Sequence, residues 1–143
     1  MLGIVITGHG GFASGLIQAI EQIVGKQSQC TAVDFPEGMS IEALHQILNQ
    51  ASKTCDIGDG LVFLTDLLGG TPFNQAAQLT LTHPHWQVLT GTNMQMAVEM
   101  MLERPTVDTE KFRDMALYFG HQGLTSLWHQ QQQNKEFHSN NGI

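Results

Sequence analysis

The sequence predicts an α/β fold, an open parallel sheet with helices on both faces, and three observations predict it. Four short apolar runs, Leu2–Thr7, Cys30–Phe35, Leu61–Thr65 and Trp86–Thr90, alternate with longer stretches whose apolar residues recur at helical spacing. The first and third runs carry no charge, as strands buried on both faces do. Each is followed by a glycine-bearing loop and then a helical pattern, the order that makes right-handed crossovers in a parallel sheet.

The first unit is Leu2–Thr7 as strand, Gly8-His9-Gly10-Gly11 as loop, and a helix with Leu16, Ile17, Ala19, Ile20, Ile23 and Val24 inward, stopped by Gly25. Cys30–Phe35 is the second strand, ended by Pro36 to Gly38. Ser40 then caps a helix bearing Ile41, Leu44, Ile47, Leu48 and Ala51 on one face. After a turn at Asp56 to Gly60 comes the third strand, Leu61–Thr65, and a second glycine loop, Asp66-Leu67-Leu68-Gly69-Gly70. Thr71 and Pro72 fit the N-cap and first position of a helix running to about Leu81. Trp86–Thr90 is the fourth strand, and Asn93 to Glu103 a helix with Met94, Ala97, Val98 and Met101 inward, its methionines filling core. Arg104-Pro105 breaks it. Thr109 caps a last helix with Phe112, Met115, Ala116 and Phe119 inward, and Leu124–Trp128 is apolar enough for a final strand. From His129 the glutamines and asparagines offer little apolar surface, so residues 1–128 are expected as one domain and 129–143 as a polar tail without fixed structure.

The bulk numbers bound the function. At 143 residues and 41% hydrophobic the chain has one proper core and no room for a second ordinary domain. A net charge of -7 with only six Lys and Arg argues against nucleic acid and anionic membranes, and favours a basic protein partner. Cys30 and Cys55 are too few for a disulfide framework, and the start does not resemble a signal peptide, so free thiols and a cytoplasmic location are expected. No His, Cys, Asp or Glu spacing suggests a metal site.

In the flavodoxin-like strand order 2-1-3-4, a crevice opens at the carboxyl ends of strands 1 and 3. His9 ends the one and Asp66 the other. A neutral imidazole is a nucleophile near pH 7 when one nitrogen is free and the other is held as a donor. Asp66 can hold it and stabilise the charge the ring gains when it attacks. No serine or cysteine completes a triad, so His9 is itself the nucleophile. The helix start at Thr71, with its hydroxyl and the amides around Gly70, is a site for phosphate, and Gly10 clears space beside the ring. The residues therefore point to phosphoryl transfer through a histidine. Two other readings stand beside it. Gly8-x-Gly10-x-x-Ala13, with Asp34 ending the second strand, satisfies a loose dinucleotide fingerprint but leaves the Asp66 to Asn74 loop idle. A pure interaction module of the same fold is the third, and only the paired loops speak against it.

Thr7-Gly8-His9-Gly10-Gly11-Phe12-Ala13-Ser14-Gly15, Thr65-Asp66-Leu67-Leu68-Gly69-Gly70-Thr71-Pro72-Phe73-Asn74 and Gly91-Thr92-Asn93 closely resemble, in order, three loops of the mannose-family enzyme IIA of the phosphoenolpyruvate-dependent sugar phosphotransferase system (PTS). The resemblance covers Met1 to Trp128 and is nearest the stand-alone IIA of N-acetylgalactosamine or galactosamine systems. It implies that His9 takes a phosphoryl group on Nε2 from the phosphocarrier protein HPr, oriented by Asp66, with Thr71 on the phosphoryl oxygens. It implies transfer to a histidine of a separate IIB protein, membrane IIC and IID components downstream, no cofactor, and a homodimer that exchanges its last strand antiparallel. Gln95 stands where the family often has proline. A runner-up within the resemblance is the phosphoryl donor of dihydroxyacetone kinase, which shares the histidine loop but matches the second loop less well.

Overall fold

A computed structural model describes residues 1–140, with side chains through Lys135. Its order is β1 (Gly3–His9), α1 (Phe12–Val24), β2 (Cys30–Phe35), α2 (Ile41–Cys55), β3 (Leu61–Thr65), α3 (Thr71–Thr80), β4 (Gln87–Leu89), α4 (Met94–Glu103), a 3-10 turn (Arg104–Thr106), α5 (Thr109–Gly123) and α6 (Leu127–Asn140). The sheet is parallel, in the order β2-β1-β3-β4, as the alternation of runs predicts.

β1 and β3 are central, which is why both read as unbroken apolar runs. Strand alternation sends Ile4 and Ile6 of β1 and Val62 and Leu64 of β3 toward α1, α4 and α5, where Ile20, Ala97, Met100 and Phe112 close a core. Val5 and Phe63 point the other way, toward Leu44 and Leu48 of α2 and Ala76 of α3. Gly3 is bare because α2 ends against it: a methyl there would stand 2.3 Å from the Cys55 carbonyl oxygen. Backbone gives way poorly, so Gly3→Ala is expected to cost about 1–3 kcal/mol, read as a lowered denaturant midpoint. An unaltered midpoint would mean that the end of α2 yields freely.

Several details differ from the sequence-based expectations, the exposure of Ile23, Ile41 and Ile47 among them, and four have a local reason. β1 runs two residues further, through His9, because the Gly10 amide bonds the Phe35 carbonyl and holds the end of the strand on β2. In α4 the buried set is Met96, Ala97, Met100 and Met101 rather than one including Val98; the Asn93 cap and the bond from its amide to the Gly120 carbonyl set the rotation of the helix against α5. Asp108, not Thr109, caps α5, accepting from Lys111 N, and the Thr109 hydroxyl instead donates to the His85 carbonyl.

The fourth is the C-terminal segment. Leu124–Trp128 is not a strand: no further strand joins the sheet among the described residues, and Ser126 accepts from the His129 amide to start α6. The run from His129, expected to lack structure, continues that helix to Asn140, because glutamine, lysine and glutamate are good helix formers once a cap has fixed the first turn. α6 stands off the body, with Leu127 and Trp128 74% and 61% exposed. Residues 141–143 of the expected tail lie outside the described residues.

Candidate active site

Parallel pairing of β1 with β3 aligns Thr7 with Thr65, so His9 and Asp66 emerge side by side at the carboxyl end of the sheet. β1 pairs with β2 on its other flank, which makes this the point where the chain's crossovers diverge. The two residues, 57 positions apart, meet: His9 Nδ1 lies 2.8 Å from Asp66 Oδ2. The same oxygen accepts the His9 backbone amide at 2.8 Å, and Asp66 Oδ1 accepts the Leu67 amide at 2.8 Å.

A carboxylate only accepts, so Nδ1 carries the proton and the lone pair is on Nε2. The His9 side chain is 47% exposed and that of Asp66 15%, so the ring is half in solvent while its partner is sheltered. Burial pushes the Asp66 carboxyl up, but the His9 amide, the His9 ring and the Leu67 amide outweigh it and hold the group below its ordinary value of 3.8. Because the folded value is depressed, the stability this carboxylate contributes is present above its ordinary value. It is lost only as pH falls through the lower folded one.

The second loop fits around the ring. A methyl on Gly70 would stand 2.7 Å from His9 Cε1 and 3.5 Å from Nε2, so the imidazole lies directly on that bare Cα. Gly70, not Thr71, is the N-cap of α3, and Thr71 and Pro72 are its first two residues. The Thr71 hydroxyl is therefore not spent on capping. The Gly70 amide is spent, on the Leu67 carbonyl, and so is that of Gly10, on Phe35. Gly70 contributes clearance rather than a donor, and the first-turn amides of α3 left without an intrahelical acceptor are those of Thr71 and Phe73. Gly10 has φ +56, a left-handed conformation that favours glycine.

The third loop is tied to the second. The Gly91 amide donates to the Asp66 carbonyl, and both the amide and hydroxyl of Thr92 donate to the Thr65 carbonyl, at 3.2 and 2.8 Å. Gln95 packs its stem against Gly123 at the end of α5, donates to Glu99, and leaves the Asn93 cap intact.

Sequence reasoning missed the aromatic surroundings. Phe35 meets the His9 ring edge-on, centroids 6.0 Å apart. A methyl on Gly8 would stand 2.5 Å from Phe12 Cδ1 and 2.9 Å from Asp66 Cγ. The signal available was strand parity, which sends Gly8 and Asp66 to the face that α1 covers.

Other groups are engaged elsewhere. Asp34 Oδ1 accepts the Ser14 amide at 2.9 Å, so the acid that a dinucleotide ribose would need is holding the start of α1. Burial pushes the Cys30 thiol up to about 12, which removes it as a nucleophile. A hollow of about 550 Å³ at the amino end of the sheet faces away from His9, and its Asp56 is already bonded by Gly58, Gly60 and the Trp86 indole.

Comparison with known proteins shows the family. Residues 3–117 match the family model EIIA-man, described as the PTS system fructose IIA component. YadI of Escherichia coli (strain K12), a candidate phosphotransferase enzyme IIA component, is 36% identical over 137 residues, covering 96% of this chain and 94% of its own. The mannose-specific EIIAB component of the same organism is 32% identical over 129 residues, and there the match spans 88% of this chain but only 39% of the relative. The crystal structure of phosphotransferase system component EIIA from Streptococcus agalactiae superposes with a TM-score of 0.82 at 30% identity, over 88% of this chain and 97% of that one. No helix among the described residues is long and apolar enough to cross a membrane. The chain belongs to the EIIA-man family of mannose-type PTS IIA components, phosphotransferases that carry a phosphohistidine intermediate.

Proposed function

We propose that this chain is a cytoplasmic phosphocarrier that accepts a phosphoryl group from phosphorylated HPr on His9 Nε2 and passes it to a histidine of a separate IIB protein. The observation that carries the reading is the 2.8 Å bond from His9 Nδ1 to Asp66, which leaves Nε2 as the free nucleophile. In the forward step the Nε2 lone pair forms the new N–P bond while the N–P bond in the donor breaks and its electron pair returns to the donor ring. The His9 ring gains positive charge, and Asp66, already ionised, offsets it without taking the proton. The Thr71 hydroxyl and the amides of Thr71 and Phe73 receive the phosphoryl oxygens at the positive end of α3. Return transfer to IIB reverses the bond changes.

The sugar is expected to be N-acetylgalactosamine or galactosamine, a reading that rests on the likeness of the three loops; the relatives' names carry mannose, fructose and sorbose. The same reading carries a homodimer in which the segment from Leu124 crosses to the neighbour. The unpaired edge of β4 and the exposure of Leu124, Leu127 and Trp128 support it.

The experiment is reconstitution with phosphoenolpyruvate, enzyme I and HPr. Acid-labile, base-stable label on the protein is expected, and Asp66→Asn is expected to slow its appearance by roughly 10–100-fold, within the range one positioned partner contributes. NAD binding without label would instead support a dinucleotide site, and an unaltered rate for Asp66→Asn would mean the carboxylate has no part in transfer.

A further inference from the structure

Gly8 lies on β1 directly before His9, and its missing side chain leaves room for two groups at once. A methyl at that position would overlap Phe12 Cδ1 at 2.5 Å, Phe12 Cγ at 2.9 Å and Asp66 Cγ at 2.9 Å. The Phe12 ring and the Asp66 carboxylate therefore converge on one bare Cα. Phe12 is the first residue of α1, half-buried and packed against the core formed with α4 and α5, so its ring is anchored from behind. The helix start is in turn fixed by the bond from Ser14 N to Asp34. Asp66 is held on its polar side by three bonds, two from His9 and one from Leu67. On the Gly8 side it has hydrocarbon.

That hydrocarbon has a consequence for the imidazole. A carboxylate open to water exchanges its protein donors for solvent, whereas one backed by an apolar wall keeps them, since the surroundings are less polar and water cannot reach the oxygens from that side. The bond most exposed to such competition is the one from Nδ1, because the His9 ring is itself half in solvent. We infer that Phe12 is a positioning residue for phosphoryl transfer, acting through Asp66: its ring shields the carboxylate and so keeps the His9 ring in the orientation and tautomer that leave Nε2 free. This inference rests on the phosphocarrier reading of His9.

The test uses Phe12→Ala and Phe12→Leu in the full chain, each alone and combined with Asp66→Asn, with two measurements. The first is the rate of label transfer from phosphorylated HPr. The second is the nitrogen NMR spectrum of the His9 ring, which reports the tautomer and the exchange of the Nδ1 proton with water and needs no donor. Phe12→Ala is expected to slow transfer about 10-fold, the lower end of what residues behind a functional histidine contribute. It is also expected to speed Nδ1 proton exchange and populate the other tautomer, while Phe12→Leu, which keeps the apolar wall, retains most of the rate and the parent spectrum. On the Asp66→Asn background Phe12→Ala should add nothing, because the partner it acts through is gone. Equal losses on both backgrounds, or a His9 spectrum unmoved by Phe12→Ala, would overturn the inference. If the alanine variant does not fold, Phe12→Val carries the same two measurements. A parent chain that takes no label from HPr defeats the carrier reading, and the ring spectrum then still decides whether Phe12 governs the imidazole.

Discussion

His9→Ala is expected to fold as the parent does and to accept no phosphoryl group. The side chain is half exposed and Phe35, its aromatic neighbour among the described residues, is met only edge-on at 6.0 Å, so little packing is lost. Asp66 keeps the amides of residue 9 and Leu67, which leaves its charge bonded twice. A surface substitution of this kind costs about 0.5 kcal/mol, raised somewhat by the missing ring bond. Label incorporation from HPr, followed with the thermal midpoint of the same sample, separates the two effects. Undiminished labelling would place the phosphoryl group on another residue and end the assignment.

Gly70→Ala carries the next largest expected effect, and for a different reason. Gly70 has φ -71 and ψ 164, a conformation open to any residue, so the substitution introduces no backbone strain. The new methyl would stand 2.7 Å from His9 Cε1 and 3.3 Å from the Leu67 carbonyl oxygen. The ring is the softer neighbour and must swing away, taking Nε2 with it. Displacing a reacting atom by about 1 Å costs on the order of 100-fold in rate. Single-turnover transfer from phosphorylated HPr should fall by that much with the circular dichroism spectrum and thermal midpoint of the parent retained. A parent-like rate would show that the imidazole need not rest on Gly70 to react.

Much of the fold was legible because burial on both faces leaves few choices. Val5, Ile6, Val62 and Leu64 cannot be hidden by a two-layer sheet, and once they are strands the helices must alternate and the order 2-1-3-4 brings His9 to Asp66. The meeting of those two was readable from chain order alone, since each follows the carboxyl end of one of two neighbouring strands. The local errors came where two residues could serve one need. Thr71 is a good N-cap, yet Gly70 takes that place because the His9 ring fills the space a side chain there would use. Asp108 outcompetes Thr109 because the threonine hydroxyl has the His85 carbonyl to bond. Leu124–Trp128 has the composition of a strand, but the cap at Ser126 starts a helix that needs nothing beyond its own next turn. The pairing of Phe12 with Asp66 lay further out of reach, since aromatic contacts depend on where a helix begins, which sequence patterns fix only to within a turn.

Asp66 Oδ2 grips the main chain and the ring of the same residue. Rotation of the imidazole during transfer can loosen one grip while the other keeps β1 and β3 together. On the phosphocarrier reading, the loaded and unloaded molecules are expected to share a single main-chain frame, so that a protein distinguishing them would sense the added negative charge rather than an altered shape.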